Sequence, residues 1–152
     1  MRDEAVLKTT MREALEAWVK HHGGNQMWTF KQSTGELIRP DDTIAHQGYA
    51  GGNVGQNPEG INNPAMQDKK SIGPIPQGYY TRGEVVLKSH LGPFAIPLIP
   101  DSDNQMFGRS GFYMHGDKAD PPRSASEGCI IMPRAVREEY CASKDVILRV
   151  IA

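Results

Sequence analysis

Two hydrophobic periodicities divide the chain. Over residues 3–22, Leu7, Met11, Leu15, Trp18, Val19 and His22 recur at three- and four-residue spacing, which places them on one face of a helix. Gly23-Gly24 supplies its C-terminal stop. Such a stripe serves either a partner or the chain's own domain. The second use, or an added segment ahead of Met27, fits a helix of this kind better. From Met27 the period changes. Trp28-Thr29-Phe30 and Glu36-Leu37-Ile38 flank Ser33-Thr34-Gly35, a hairpin pattern. Val85 to Lys88 and Phe94 to Leu98 predict a strand pair around Leu91-Gly92-Pro93, with Pro97 confining the second strand to an edge or a bulge. Tyr79 to Thr81, Phe112 to His115 and Asp145 to Ile151 read as further strands, and Pro133 to Tyr140 as a short helix with Pro133 in its first turn. Residues 48–64, rich in Gly and Asn and without an apolar period, predict a long loop beside a site. No internal repeat or linker interrupts residues 27–152, so they read as one domain behind an N-terminal helical extension, residues 1–26.

Composition narrows the function. The chain has 152 residues, with 17 Lys and Arg against 18 Asp and Glu, so it lacks the charge excess of a nucleic-acid binder. Its 16 Gly and 11 Pro favour a loop-rich, mostly β domain over a helical bundle. Two cysteines, Cys129 and Cys141, are too few for a disulfide scaffold and lack zinc-ribbon spacing. The scattered His21, His22, His46 and His90 suggest no metal site, and no cofactor motif is present; the glycines of the loop are not followed by the Lys-Ser/Thr of a phosphate cradle. No stretch is long and apolar enough for a membrane span, and the charged start, Met1 to Lys8, lacks the apolar region of a secretory signal.

The candidate chemistry lies in residues 112–133. His115 ends a strand, and Cys129 follows a glycine at the start of another apolar run. A loop of thirteen residues between them is long enough to fold back and bring imidazole to sulfur. A thiol becomes a useful nucleophile when a base or a cation favours its thiolate. Gly128 permits close backbone approach, the N–H groups around Gly128 and Cys129 suit an oxyanion hole, and the Gly116 carbonyl is placed to orient the base. Ser126 suits a supporting hydrogen bond within the turn. From chemistry alone a second reading stands beside this one, in which Cys129 is a small buried hydrophobe. Cys141 reads as structural.

His115-Gly116 followed by Ser126-Glu127-Gly128-Cys129-Ile130 resembles the His-Gly and Ser-x-Gly-Cys signature of YkuD-type L,D-transpeptidases. The span from Trp28 to Val150 is similar to a branch of type VI secretion effectors that attack peptidoglycan, at Trp28-Thr29-Phe30, Ser33-Thr34-Gly35, Gly73 to Tyr79, Phe107-Gly108-Arg109 and Ala125 to Ile131. The resemblance implies a mostly β sandwich or open barrel with a short helix after the cysteine. It also implies a cysteine acyl-enzyme acting on peptidoglycan stem peptides. Hydrolysis would make the protein an L,D-carboxypeptidase that releases D-Ala, and an amine acceptor would make it a transpeptidase. Mapped here, Cys129 is nucleophile, His115 base and acid, and Gly116 orienter, with Gly128, Ser126 and Glu127 in support. Many relatives carry His where Glu127 stands and Arg where Ile131 stands. A substitute grip on the substrate carboxylate is then sought among Arg109, Arg123 and Arg134, with Arg109 first and Tyr113 nearby.

Two rivals remain at this level. A papain-like peptidase places its cysteine on a helix N-terminus with the histidine far downstream, the reverse of the order here. A noncatalytic cell-wall or partner-binding module leaves His115 and Cys129 without a role. An unexported chain with an extracytoplasmic substrate implies delivery to the periplasm of target bacteria, hence a secretion-apparatus partner and a cognate immunity protein.

Overall fold

The structure, a computed structural model, describes residues 27–152. The helix expected over 3–22, with the rest of the 1–26 extension, lies outside the described residues. Nine strands form one sheet. They are β1 (Trp28–Lys31), β2 (Glu36–Ile38), β3 (Ile44–Gln47), β4 (Tyr49–Ala50), β5 (Gly78–Arg82), β6 (Ile96–Pro100), β7 (Tyr113–His115), β8 (Ile130–Ile131) and β9 (Ile147–Ile151). The helix α1 (Arg134–Ala142) lies between β8 and β9. The order across the sheet is β3-β2-β1-β9-β5-β6-β7-β8-β4. β3 and β4 therefore stand at opposite ends of the sheet, yet only Gly48 separates them in the chain. That single residue draws the two ends together, and the sheet curls into a near-closed barrel. Gly48 N–H donates to the Gly35 carbonyl at 2.7 Å, and a Cβ at Gly48 would stand 2.0 Å from the Ile131 carbonyl oxygen. No larger residue fits this junction.

Alternation fills the barrel. Phe30, Leu37, Tyr80, Ile96, Leu98, Met114, Ile130, Leu148 and Val150 are buried, and the register sets Phe30 beside Val150 and Met114 beside both Ile96 and Ile130. Same-face neighbours of this kind bury one continuous apolar row. The helix closes over one side. Tyr140 is fully buried and meets Trp28 edge to face at 5.2 Å. Arg82 of β5 donates to the carbonyls of Tyr140 and Ser143, satisfying the helix's last acceptors with a cation where one is favoured.

The 28–38 hairpin forms as expected, with Phe30 opposite Leu37. Four local expectations change. Residues 85–88 contribute only a single bridge, Val86 to Ala95, and β6 pairs instead with β5 and β7. Pro97 therefore sits on an internal strand. Its carbonyl accepts from Gly83 N–H just past the end of β5, so its missing N–H faces a side where pairing has stopped. The 48–64 segment is not all loop, because Tyr49–Ala50 pairs with β8. Pro133 is the N-cap of α1 and not a residue of its first turn.

Candidate active site

β7 and β8 are adjacent and parallel, with Met114 level with Ile130 and His115 level with Ile131. Residues level in register share a face. Met114 and Ile130 take the core face, so Tyr113, His115, Cys129 and Ile131 share the other. Cys129 stands beside Tyr113, whose N–H donates to its Sγ at 3.3 Å. His115 is therefore its diagonal neighbour, one strand over and two residues along. The thirteen intervening residues are the crossover that any parallel pair requires.

That crossover is tied down at several points. Tyr49 Oη donates to Asp117 Oδ1 at 2.6 Å and accepts from Ala125 N–H at 3.0 Å. Asp117 also accepts the N–H groups of Lys118 and Arg123. Burial and this carboxylate together hold the Tyr49 phenol protonated far into the alkaline range, while the donors around Asp117 lower its own pKa against the opposing effect of burial.

The turn before Cys129 is built around Ser126, which is fully buried. Its Oγ accepts from Gly51 N–H at 2.8 Å and Gly128 N–H at 2.9 Å, and donates to the Cys129 carbonyl at 2.7 Å. The Gly128 N–H expected in an oxyanion hole is thus engaged inside the turn. Gly128 serves close packing instead. Its φ is +139°, and a Cβ there would stand 2.5 Å from Arg109 Nη2 and 2.8 Å from the Phe112 ring.

Arg109, the first choice to grip a substrate carboxylate, is spent elsewhere. It is 6% exposed; Nη1 donates to the carbonyls of Gln67 and Pro74, and Nη2 to those of Gly73 and Glu127, at 2.6–3.0 Å. Two terminal nitrogens carry four hydrogens, and four acceptors use them all. Arg134 is also absent from the Cys129 cleft. It pairs with Glu138 at 2.8 Å, stacks over Phe94 and lines a neighbouring cleft with Arg123 and Arg137. Tyr113 and Glu127 do line the Cys129 cleft.

That cleft has a volume of about 490 Å³ and holds His115 and Cys129 together with Lys70, His90, Leu91 and Phe112. Lys70 and His90 carried no sequence signal, since each comes from a distant loop. Lys70 is the exposed cation of the cleft. Among the described residues, no group of three or more His, Cys, Asp or Glu converges to hold a metal. Burial pushes the Cys129 thiol up to about 11; the Tyr113 N–H and the Arg109 charge oppose it, and Glu127 reinforces it. Burial also lowers the His115 pKa. The Gly116 carbonyl, 3.0 Å from Nδ1, and Asp117 act against that, and Arg137 and His90 act with it. Both shifts favour the neutral forms, thiol and imidazole. With Nδ1–H donated to Gly116, Nε2 is left as the basic nitrogen.

A near-closed β barrel thus presents a cysteine and a histidine from adjacent parallel strands into one cleft. The Tlde1 domain family matches residues 48–149, well over half of the chain, and the chain belongs to that family. A solved structure described as "Structure of the Ldtfm-avibactam carbamoyl enzyme" is similar at a TM-score of 0.46 and 14% identity; the match covers 84% of this chain and spans 49% of that one. No curated protein matches the chain in sequence.

Proposed function

We propose that the protein is a cysteine L,D-carboxypeptidase and L,D-transpeptidase acting on peptidoglycan stem peptides. The observation that supports this reading most is that His115 on β7 and Cys129, immediately before β8, open into one cleft. The thiol rests against Tyr113 N–H and the Gly111 carbonyl, and the reaction requires it to turn toward the imidazole. Sγ then attacks the carbonyl carbon of the third stem residue as its proton passes to His115 Nε2. The tetrahedral adduct collapses, and the amine of the terminal D-Ala leaves with the proton returned from the imidazolium. Water attacking the thioester gives hydrolysis, with Sγ as leaving group and His115 again as base. A D-amino acid amine attacking instead gives exchange. A neutral imidazole is the form this sequence needs, and burial favours it. With Arg109 committed to carbonyls, Lys70 is the cation best placed to meet the substrate carboxylate.

Membership of the Tlde1 family is consistent with an antibacterial effector delivered to the periplasm of a target cell by a type VI machine and held in check by a cognate immunity protein. Incubation with purified tetrapeptide muropeptides tests the chemistry. Tripeptide and free D-Ala should appear, and an added D-amino acid should be incorporated. A protein that binds the muropeptides and leaves them unchanged is instead a binding module. Periplasmic expression should deform or lyse a Gram-negative cell while cytoplasmic expression is tolerated. Equal harm from both compartments rules out the cell wall as target.

A further inference from the structure

We infer that Arg109 is a positioning residue for Cys129, acting through the backbone it holds and not through contact with substrate. Its four acceptors come from two places: the strap at Gln67, Gly73 and Pro74, and Glu127, two residues before the cysteine. One planar guanidinium thus fixes the strap and the Cys129 turn relative to each other. A lysine cannot match that fork of hydrogens. The contact is close enough that only glycine fits at position 128, as its Cβ distance to Nη2 shows. The guanidinium also lies 5.2 Å over Phe112, directly before the residue whose N–H meets Sγ.

The strap is tied in from its far side as well. Ile75 N–H donates to the Gly128 carbonyl at 2.9 Å. Gln32, fully buried at the end of β1, donates to the Ile75 carbonyl and to Gln67 Oε1, and accepts from Gln77. None of Arg109's four hydrogen-bond acceptors is a carboxylate. Burying a cation on carbonyls alone is costly, and its charge, close to the sulfur, favours the thiolate. One side chain thus holds the Cys129 turn and adds a thiolate-favouring charge beside it.

This inference rests on Cys129 as nucleophile, but its first readout needs no substrate. In a Cys141→Ser background, Cys129 is alkylated with iodoacetamide across pH in the parent and in Arg109→Lys. The charged or titratable groups of the cleft around the sulfur are Arg109, Glu127, His115, His90, Lys70 and Tyr113, and Arg109→Lys conserves every charge. Loss of the fork should release the turn and expose the sulfur, raising alkylation near about pH 8 by about threefold or more. D-Ala release should move the other way, kcat falling about tenfold or more with KM nearly unchanged. If Arg109→Lys does not fold, Phe112→Leu, which removes the ring beneath the guanidinium, carries the same test. Parental alkylation in the folded variant overturns the inference. So does a raised KM with kcat intact, which would make Arg109 a ligand of the substrate. If the parent releases no D-Ala, the proposed activity fails, while the alkylation result still decides the role of Arg109.

Discussion

Replacing Ser126 by alanine removes one oxygen and strands three backbone groups, two of them buried and the third partly so. Ser126 Oγ satisfies Gly51 N–H, Gly128 N–H and the Cys129 carbonyl, and the residue is 0% exposed, so no solvent reaches the site directly. An unsatisfied buried polar group costs about 1–3 kcal/mol. Taking the low end for each of the three gives a loss of about 3 kcal/mol, a sizeable part of the roughly 5–15 kcal/mol that stabilises a domain. The melting temperature should fall by roughly 6–12 °C for a chain of this size. Ser124→Ala is the control. Ser124 is also buried, but its hydroxyl makes one hydrogen bond, to the Pro121 carbonyl, so about 1 kcal/mol is expected. Urea denaturation followed by far-UV circular dichroism measures both, and a shifted midpoint at constant slope isolates stability. If Ser126→Ala costs no more than Ser124→Ala, the hydroxyl is not the hub of the turn that carries Cys129.

Gly48→Ala puts a methyl group 2.0 Å from the Ile131 carbonyl oxygen at the barrel junction; it should prevent closure and yield insoluble protein, and a soluble variant of normal stability contradicts the junction. The His115 pKa is lowered from 6.5, so the unfolded chain binds the extra proton first. Its contribution to stability is present above pH 6.5 and is lost as pH falls through the folded value. The acid limb of kcat/KM should accordingly have its midpoint below 6.5, and a midpoint above it refutes a buried neutral base. Cys129 titrates in the opposite sense. Its folded pKa is raised from 9.0 to about 11, so its contribution is complete below 9 and lost toward 11, and Cys129→Ala should flatten that alkaline slope of the stability curve. Both cysteines are free thiols; denatured, unreduced active protein should titrate two equivalents, and Cys141→Ser should keep most activity. A protein with no free thiol that remains active would refute Cys129 as nucleophile.

What the sequence disclosed followed how local each signal was. The 28–38 hairpin was legible because the turn and both alternating strands lie within eleven residues. The juxtaposition of His115 and Cys129 was legible because a single crossover joins neighbouring strands. β3 gave no signal, since three of its four residues are exposed and backbone pairing to β2 holds it at the edge. The role of Arg109 was illegible for a different reason. Its partners are carbonyls contributed by residues 18–42 positions away, and a carbonyl is the same atom whatever residue bears it. An arginine near a candidate nucleophile therefore reads as a substrate anchor until its hydrogens are accounted for. Pro97 misled in a similar way. Proline predicts an edge strand, but the stagger of β5 and β7 along β6 leaves one internal position where no N–H is needed.

On the proposed chemistry, Cys129 forms a thioester with a peptidoglycan stem peptide. Peptide mapping by mass spectrometry, after brief incubation with tetrapeptide muropeptide and acid quenching, tests it most directly. A stem-peptide acyl adduct should appear on Cys129 with free D-Ala in the supernatant, and Cys129→Ala should give neither product. D-Ala release that persists in Cys129→Ala, or an adduct that maps to Cys141, would contradict it.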